Sequence, residues 1–247
     1  MSETKAVLKV PLFVEVIGEP EVGKTHLSSI FPKPVLLDTT PSGEAYTILR
    51  KLYPNDWEKR YHRIRQFSDF TSTLKLIKAD KTIEFKTVIV DTSADLRTLG
   101  GEEHLKELNK VKPRERLMPE EWGPVNEKIN GFIEEIVDKD KMCMNLIFTS
   151  QMQDEWGSDR KPTGRRIRKG VPGINFQSSI RLYLQIENKV DEKTMRVIPN
   201  EFTRRCTVIK NRFRNKADAN EWIPELKELT WEGIKKLTKL AEGEFVE

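Results

Sequence analysis

The sequence predicts an α/β protein built on one mostly parallel sheet with helices on both faces. Two observations carry this reading. Short apolar, β-branched runs alternate along the chain with segments of helical periodicity. Within the runs the apolar residues are consecutive rather than alternating, as strands buried on both faces require. Leu12 to Ile17 is the first such strand, ended by Gly18. A helix follows from Lys24 to about Ile30 and is closed by Pro32 and Pro34. Val35 to Asp38 is a second strand, and Tyr61 to Phe67 reads as another, with aromatic residues among basic ones. Phe70, Leu74 and Ile77 recur at helical spacing. Thr87 to Asp91 is a strand of strong β-branched character. Val125, Ile129, Phe132, Ile133 and Ile136 mark one face of a helix, and Met144 to Thr149 is the next strand. Beyond Gln151, Ile180–Ile186 and Cys206–Ile209 suggest a hairpin at the sheet edge, occupying about residues 180–214. A terminal helix is expected over about 230–241, with Trp231, Ile234 and Leu237 on one side. Without repeats, low-complexity tracts or a clear linker, residues 1–247 read as one domain.

Composition excludes several classes. The chain has 247 residues, 37% hydrophobic and 33% charged, and no run approaches the ~18 apolar residues of a membrane span. Met1-Ser2-Glu3-Thr4-Lys5 lacks a signal-peptide pattern. Two cysteines without a CxxC, and three scattered histidines, disfavour a disulfide scaffold or a zinc site. The expectation is a reduced, cytoplasmic protein with no membrane partner. The net charge of +4 hides an asymmetry: Arg160 to Lys216 holds sixteen Lys/Arg against four Asp/Glu, or +12, which leaves −8 on the rest. Arginine outnumbers lysine in this block, ten to six, which favours phosphate contact over a merely solvated face.

Gly18-Glu19-Pro20-Glu21-Val22-Gly23-Lys24-Thr25 fits GxxxxGK[ST] in full, between a strand and a helix as that motif requires. Its glycines let backbone N–H groups turn inward around phosphates, and the following helix N-terminus, with His26 in its first turn, adds partial positive charge. Lys24 is placed for the β- and γ-phosphates, and the Thr25 hydroxyl for Mg²⁺. ATP and Mg²⁺ are therefore the expected ligands. Asp91, at the tip of its strand, is placed to hold the metal through water; alone it would read as a helix cap, but beside a phosphate loop the metal role is favoured. Thr92 stands where other ATPases carry Glu.

From here the order of motifs resembles the RecA/RadA-like ATPases, and within them the compact phage and archaeal-virus proteins that bind nucleotide or anneal single strands. Gly18–Thr25, Val35–Thr39, Lys86–Thr92, Glu121–Gly123 and Asn145–Gln151 carry the resemblance, which runs from about Pro11 to Arg214. It implies a RecA-like core with a C-terminal edge hairpin, in which the strand ending in Gln151 lies between the phosphate-loop strand and the Asp91 strand. It further implies that Gln151 touches the γ-phosphate and passes its state to the following segment, where such proteins grip DNA. That segment, about 153–178, contains Arg160, Lys161, Arg165, Arg166, Arg168 and Lys169, broken by Pro162, Gly164 and Gly170, and is expected to be a mobile basic loop that follows a single strand. Trp156 and Phe176 flank it as stacking candidates; a solvated charge run is the plainer alternative. A weaker basic stretch, Lys106 to Arg116, is diluted by glutamates.

Lys210 and Arg212 have two readings. In RecA-like assemblies cations at this place reach the neighbouring subunit's nucleotide; otherwise they form an exposed basic strand end. The resemblance also implies a homo-oligomer, ring or filament, working with single-stranded DNA and with single-strand-binding or replication proteins in a host cytoplasm. One departure stands out. Where RecA-like enzymes place a Glu that orients the attacking water, this chain has Thr40, so Asp38 or Glu44 must substitute and hydrolysis is expected to be slow. Two other functions fit the phosphate loop: a small-molecule kinase with the basic block as lid, and a nucleotide-gated scaffold with negligible turnover.

Overall fold

A computed structural model describes residues 9–111, 113–156, 161–191, 196–214, 225–238, 240 and 244–247. The elements are β1 (Phe13–Gly18), α1 (Lys24–Ser29), β2 (Pro34–Asp38), α2 (Tyr46–Leu52), α3 (Trp57–Arg60), β3 (Tyr61–Arg63), α4 (Phe67–Ala79), β4 (Thr87–Asp91), α5 (Ser93–Asn109), α6 (Trp122–Val137), β5 (Asn145–Trp156), β6 (Pro162–Lys169), α7 (Ile174–Gln177), β7 (Ile180–Val190), β8 (Val197–Asn211) and α8 (Trp231–Lys235). They form one eight-stranded sheet in the order β3-β2-β4-β5-β1-β7-β8, with β6 paired to β5. The pairings from β3 to β7 are all parallel, and only β6 and β8 run antiparallel. The expected α/β fold is therefore present, and the strand bearing Gln151 does lie between β1 and β4.

Two apolar cores sandwich the sheet. Phe13, Leu37, Val88, Val90, Leu146 and Phe148 meet α4 and α6 on one face. Val14, Val16, Leu36, Ile89, Ile147 and Leu182 meet α1 and the α8 region on the other. Consecutive strand residues thus feed opposite cores, which is why Val35–Leu37, Val88–Val90 and Leu146–Phe148 are unbroken apolar runs and β1 is one but for Glu15.

Four sequence expectations need correction. Among its described residues the basic segment is largely strand rather than loop: β5 continues past Gln151 to Trp156 and pairs with β6, Pro162–Lys169. Its strand pattern is one of charge sides rather than of apolarity, so composition alone reads as loop. The third strand stops at Arg63, because Gln66 and Asp69 form a reciprocal cap that starts α4 at Phe67. The terminal helix is only Trp231–Lys235, capped by the Thr230 hydroxyl, and Ala241 lies outside the described residues. Helix α5 escaped the periodicity reading because Gly100 and Gly101 interrupt its apolar face.

Those glycines have a packing reason. A Cβ on Gly101 would lie 2.8 Å from Cη2 of Trp122, and one on Gly100 would lie 3.0 Å from Val125, so α6 crosses α5 at a distance only glycine permits. Gly131 in α6 is exposed and meets nothing within 4 Å. Gly→Ala ordinarily stabilises a helix interior by ~0.5–1 kcal/mol, whereas overpacking costs ~1–3 kcal/mol. Urea unfolding should therefore show Gly131→Ala more stable and Gly101→Ala less stable than the parent. A stabilised Gly101→Ala protein would contradict the close crossing.

Candidate nucleotide site and its two arms

The site grows from the carboxyl end of β1. Gly18 must be glycine, since a Cβ there would stand 2.3 Å from the Leu184 carbonyl oxygen of β7. The chain then turns through Glu21 (φ 63°) and Gly23 (φ 98°), and Gly23 leads into α1. Glu19, Pro20 and Glu21 form the rim and Val22 packs beneath it; Pro20, Glu21 and His26 are exposed. Lys24 is buried, and its ammonium donates to the carbonyls of Gly18 (3.2 Å) and Glu19 (2.5 Å). Burial lowers its pKa, against the opposing pull of Asp91 and Glu19.

Across the sheet, Thr25 Oγ1 donates to Asp91 Oδ2 at 2.6 Å, and the Thr149 hydroxyl of β5 donates to Asp91 Oδ1. Burial holds the Asp91 carboxyl above the usual carboxylate range, and these two hydroxyls pull it back down. The donor set is hard oxygen throughout, which fits Mg²⁺. The lysine ammonium and the glycine turn beside it fit a nucleotide's phosphates. β1 and β5 pair so that Gln151 lies directly opposite Gly18. Gln151 is half-buried, and its side chain makes no hydrogen bond with the described residues.

The candidate water-activating groups are arranged differently. Asp38 is fully buried, and Oδ1 accepts from the Thr40 amide (2.9 Å) and hydroxyl (2.6 Å) while Oδ2 accepts from Tyr61 (2.9 Å). Burial and the Asp38 carboxylate push the Tyr61 phenol up to about 12. Thr40 thus braces Asp38, and Glu44 is exposed with no side-chain partner among the described residues. Asp95, a group the sequence reading did not single out, accepts from the hydroxyls of Thr39 (3.3 Å) and Thr92 (2.9 Å) where β2 and β4 end.

The basic hairpin is tied to the site through carboxylates. Glu15 of β1 is fully buried. Its Oε1 accepts from Arg168 Nη1 at 2.7 Å and from Ser150 Oγ at 2.8 Å, and its Oε2 accepts from Arg181 Nε at 2.8 Å. Ser150 meets Ser93, the first residue of α5, at 2.7 Å. Two residues along β6, Arg166 Nη2 donates to Glu19 Oε2 at 2.7 Å. Arg166 and Arg168, read in the sequence as DNA contacts, are therefore held by acids of the phosphate-loop strand and its rim. Lys161, Arg165 and Lys169 remain exposed, while Arg160 lies outside the described residues. Trp156 and Phe176 are 63% and 73% exposed.

The second arm, β7–β8, carries an arginine that the sequence reading did not single out. Arg204 Nε donates to the Val22 carbonyl at 3.0 Å, and its guanidinium lies 5.3 Å from the Phe202 ring centroid. The expected fingers sit elsewhere. Lys210 is in register with Arg181, hence level with Glu15 and about 10 Å down the sheet from Gly18. Its ammonium donates to the carbonyls of Asn175 (2.5 Å) and Phe176 (3.1 Å). Arg212 is exposed just beyond β8. Neither reaches the phosphate loop of its own chain. Glu15 does carry a signal in the sequence, since a lone acid inside an apolar strand demands a buried cation.

A phosphate loop opening a helix, an Asp-tipped strand two positions away and the strand bearing Gln151 between them define a P-loop NTPase domain. The AAA domain family matches residues 11–213, most of the chain, and the protein belongs to that family. No curated protein matches it. Among the described residues no helix is long and apolar enough to cross a membrane.

Two measurements test this geometry. Arg168→Ala leaves a fully buried carboxylate short of one cation and should cost about 3 kcal/mol in urea unfolding, whereas Arg165→Ala should stay within about 0.5 kcal/mol of the parent. The second concerns pH. The raised Asp91 pKa means that the folded state keeps a proton the unfolded chain has lost, so nucleotide-free stability falls as pH rises from the ordinary carboxylate value through the folded one. Asp91→Asn should abolish that decline in melting temperature, and with it any stabilisation by Mg²⁺ and nucleotide.

Proposed function

We propose that this protein binds ATP with Mg²⁺ at Gly18–Thr25, hydrolyses it slowly, and couples occupancy of that site to the binding of single-stranded DNA by the β5–β6 hairpin. One observation carries the reading. β5 passes from Gln151, opposite Gly18, directly into the arm whose partner strand bears Arg165 and Lys169. Trp156, exposed at the end of β5 in that arm, suits base stacking.

In this reading Lys24 leaves the Gly18 and Glu19 carbonyls for the β- and γ-phosphates, a small move because its present partners belong to the same loop. Thr25 and Asp91 hold the metal, which when bound neutralises phosphate charge and orients the leaving group. Gln151 senses the γ-phosphate. Asp38, already bonded to Thr40 and Tyr61, is poorly free to activate water, and Glu44 has to fold inward, so basal turnover is slow. Lys210 and Arg212 act, if the chain assembles into a ring or filament, on a neighbour's nucleotide. A role in viral or mobile-element recombination, annealing or replication, in the cytoplasm and beside single-strand-binding proteins, follows from the same reading. The kinase alternative needs free lid arginines, and Arg166 and Arg168 are engaged by Glu19 and Glu15.

ATP hydrolysis measured with and without single-stranded DNA tests the proposal. A weak basal rate should rise with DNA, and Lys24→Ala should remove both rate and nucleotide binding. Arg165→Ala/Lys169→Ala should keep nucleotide affinity while the slope of log K against log salt shrinks by about 0.7 per lost contact. Absence of DNA binding at low salt overturns the DNA half, and phosphoryl transfer to a nucleoside or sugar favours the kinase.

A further inference from the structure

A cavity of about 660 Å³ opens between α5 and the start of α6, lined by Arg97, Arg116, Met118, Trp122 and Asn126 among others. No carboxylate lines it. The Arg97 guanidinium lies over the Trp122 ring, 4.2 Å from its centroid. Arg97 Nε and Asn126 Oδ1 are buried without hydrogen-bond partners among the described residues. Buried polar atoms are nearly always partnered, so one donor and one acceptor left open beside the same cavity point to a ligand with complementary groups. Arg116 is exposed and forms no ion pair among the described residues, so that ligand is an anion. The indole with the guanidinium over it makes a cation–aromatic platform, and aromatic rings and guanidinium groups are what unpaired bases stack on.

Position narrows the choice. Gly170, which closes the basic hairpin, packs so tightly on α5 that a Cβ would come within 2.5 Å of Ser93 Oγ. Arg97 is four residues on, one helical turn along the same face. The cavity therefore lies one turn of α5 from the root of the hairpin. Its volume holds a nucleotide unit and is within the ordinary range for small-ligand sites.

We propose that the Arg97–Arg116–Trp122–Asn126 cavity takes one nucleotide of the single strand held by the β5–β6 hairpin, its base on the Arg97–Trp122 platform and edge-bonded by Asn126, its phosphate on Arg116. This rests on the DNA-binding reading above. It adds a discrete pocket to a contact otherwise made along the backbone and by stacking at the arm, and it gives the chain a preferred strand register.

The test uses the full chain. An oligo-dT carrying 5-iodouracil is photo-crosslinked to the parent protein and the adducts are mapped. Arg116→Ala, Asn126→Ala and Trp122→Phe are titrated with the same oligonucleotide and with dTMP. Adducts at Trp122 are expected. Affinity for the oligonucleotide should fall about ten-fold for Asn126→Ala, the scale of one lost base contact, and should also fall for Arg116→Ala with a shallower salt dependence, as one phosphate contact is lost, while ATP affinity and melting temperature stay unchanged. Failure of the parent to bind the oligonucleotide removes the DNA-binding reading, and the pocket with it. Tight parental binding with adducts only on the hairpin and full affinity in all three variants overturns the pocket alone. dTMP bound as tightly as the oligonucleotide also overturns it, since the site is then one for a free nucleotide.

Discussion

Much of this architecture depends on one buried carboxylate. Glu15 sits fully buried in the central strand that carries the phosphate loop. An isolated charge there would cost several kcal/mol, and it is tolerable only because Arg168, Arg181 and Ser150 surround it with charge and hydrogen bonds. Those partners come from three different strands. Satisfying Glu15 therefore obliges β6, β7 and the end of β5 to converge on β1, and through Ser93 it also fixes the start of α5. Such a pair adds little net stability compared with apolar packing, but it specifies which arrangement is allowed.

Around this centre, two hairpins grip the phosphate loop from outside. Arg166 of one holds the Glu19 carboxylate, and Arg204 of the other holds the Val22 carbonyl. The loop that must close around phosphates is thus bordered by arms that reach past the sheet. The arginine-rich block that gives the chain its charge asymmetry divides accordingly. Arg166, Arg168, Arg181 and Arg204 serve the interior of the site, and Lys161, Arg165 and Lys169 face outward. A count of charges along the sequence cannot separate these two groups, because the carboxylates and the carbonyl that claim the first set lie 147 to 182 residues away in the chain.

What was legible follows from the same physics. The parallel core announced itself because strands covered on both faces have to be continuously apolar, and the phosphate loop because its glycines and lysine occur at a spacing few other structures need. The place of Gln151 between β1 and β4 came from resemblance and is what the sheet order displays. The β6 strand was missed since its sides are set by long-range ion pairs rather than by hydrophobic alternation. Helix α5 was missed since two glycines required by the Trp122 and Val125 contacts erase its pattern. The early end of the strand at Arg63 turns on a local cap, Gln66 with Asp69, that a broad aromatic signal obscured. Arg204 carries no signature of its own; only the register of β7 with β8, which places it two residues beyond Leu184's partner Cys206, brings it to the loop.

The length of β5 has a mechanical consequence. Five residues extend beyond Gln151 to Trp156, about 17 Å of strand at about 3.4 Å each. Anchored by Glu15 at its root and stiffened by β6, this arm is a lever whose fulcrum is the residue opposite the phosphate loop. A tilt of about 5° at Gln151 sweeps the tip by about 1.5 Å, over the strand length just given. In rigid-body terms a tilt at Gln151 reaches the far end of the arm enlarged in proportion to its length.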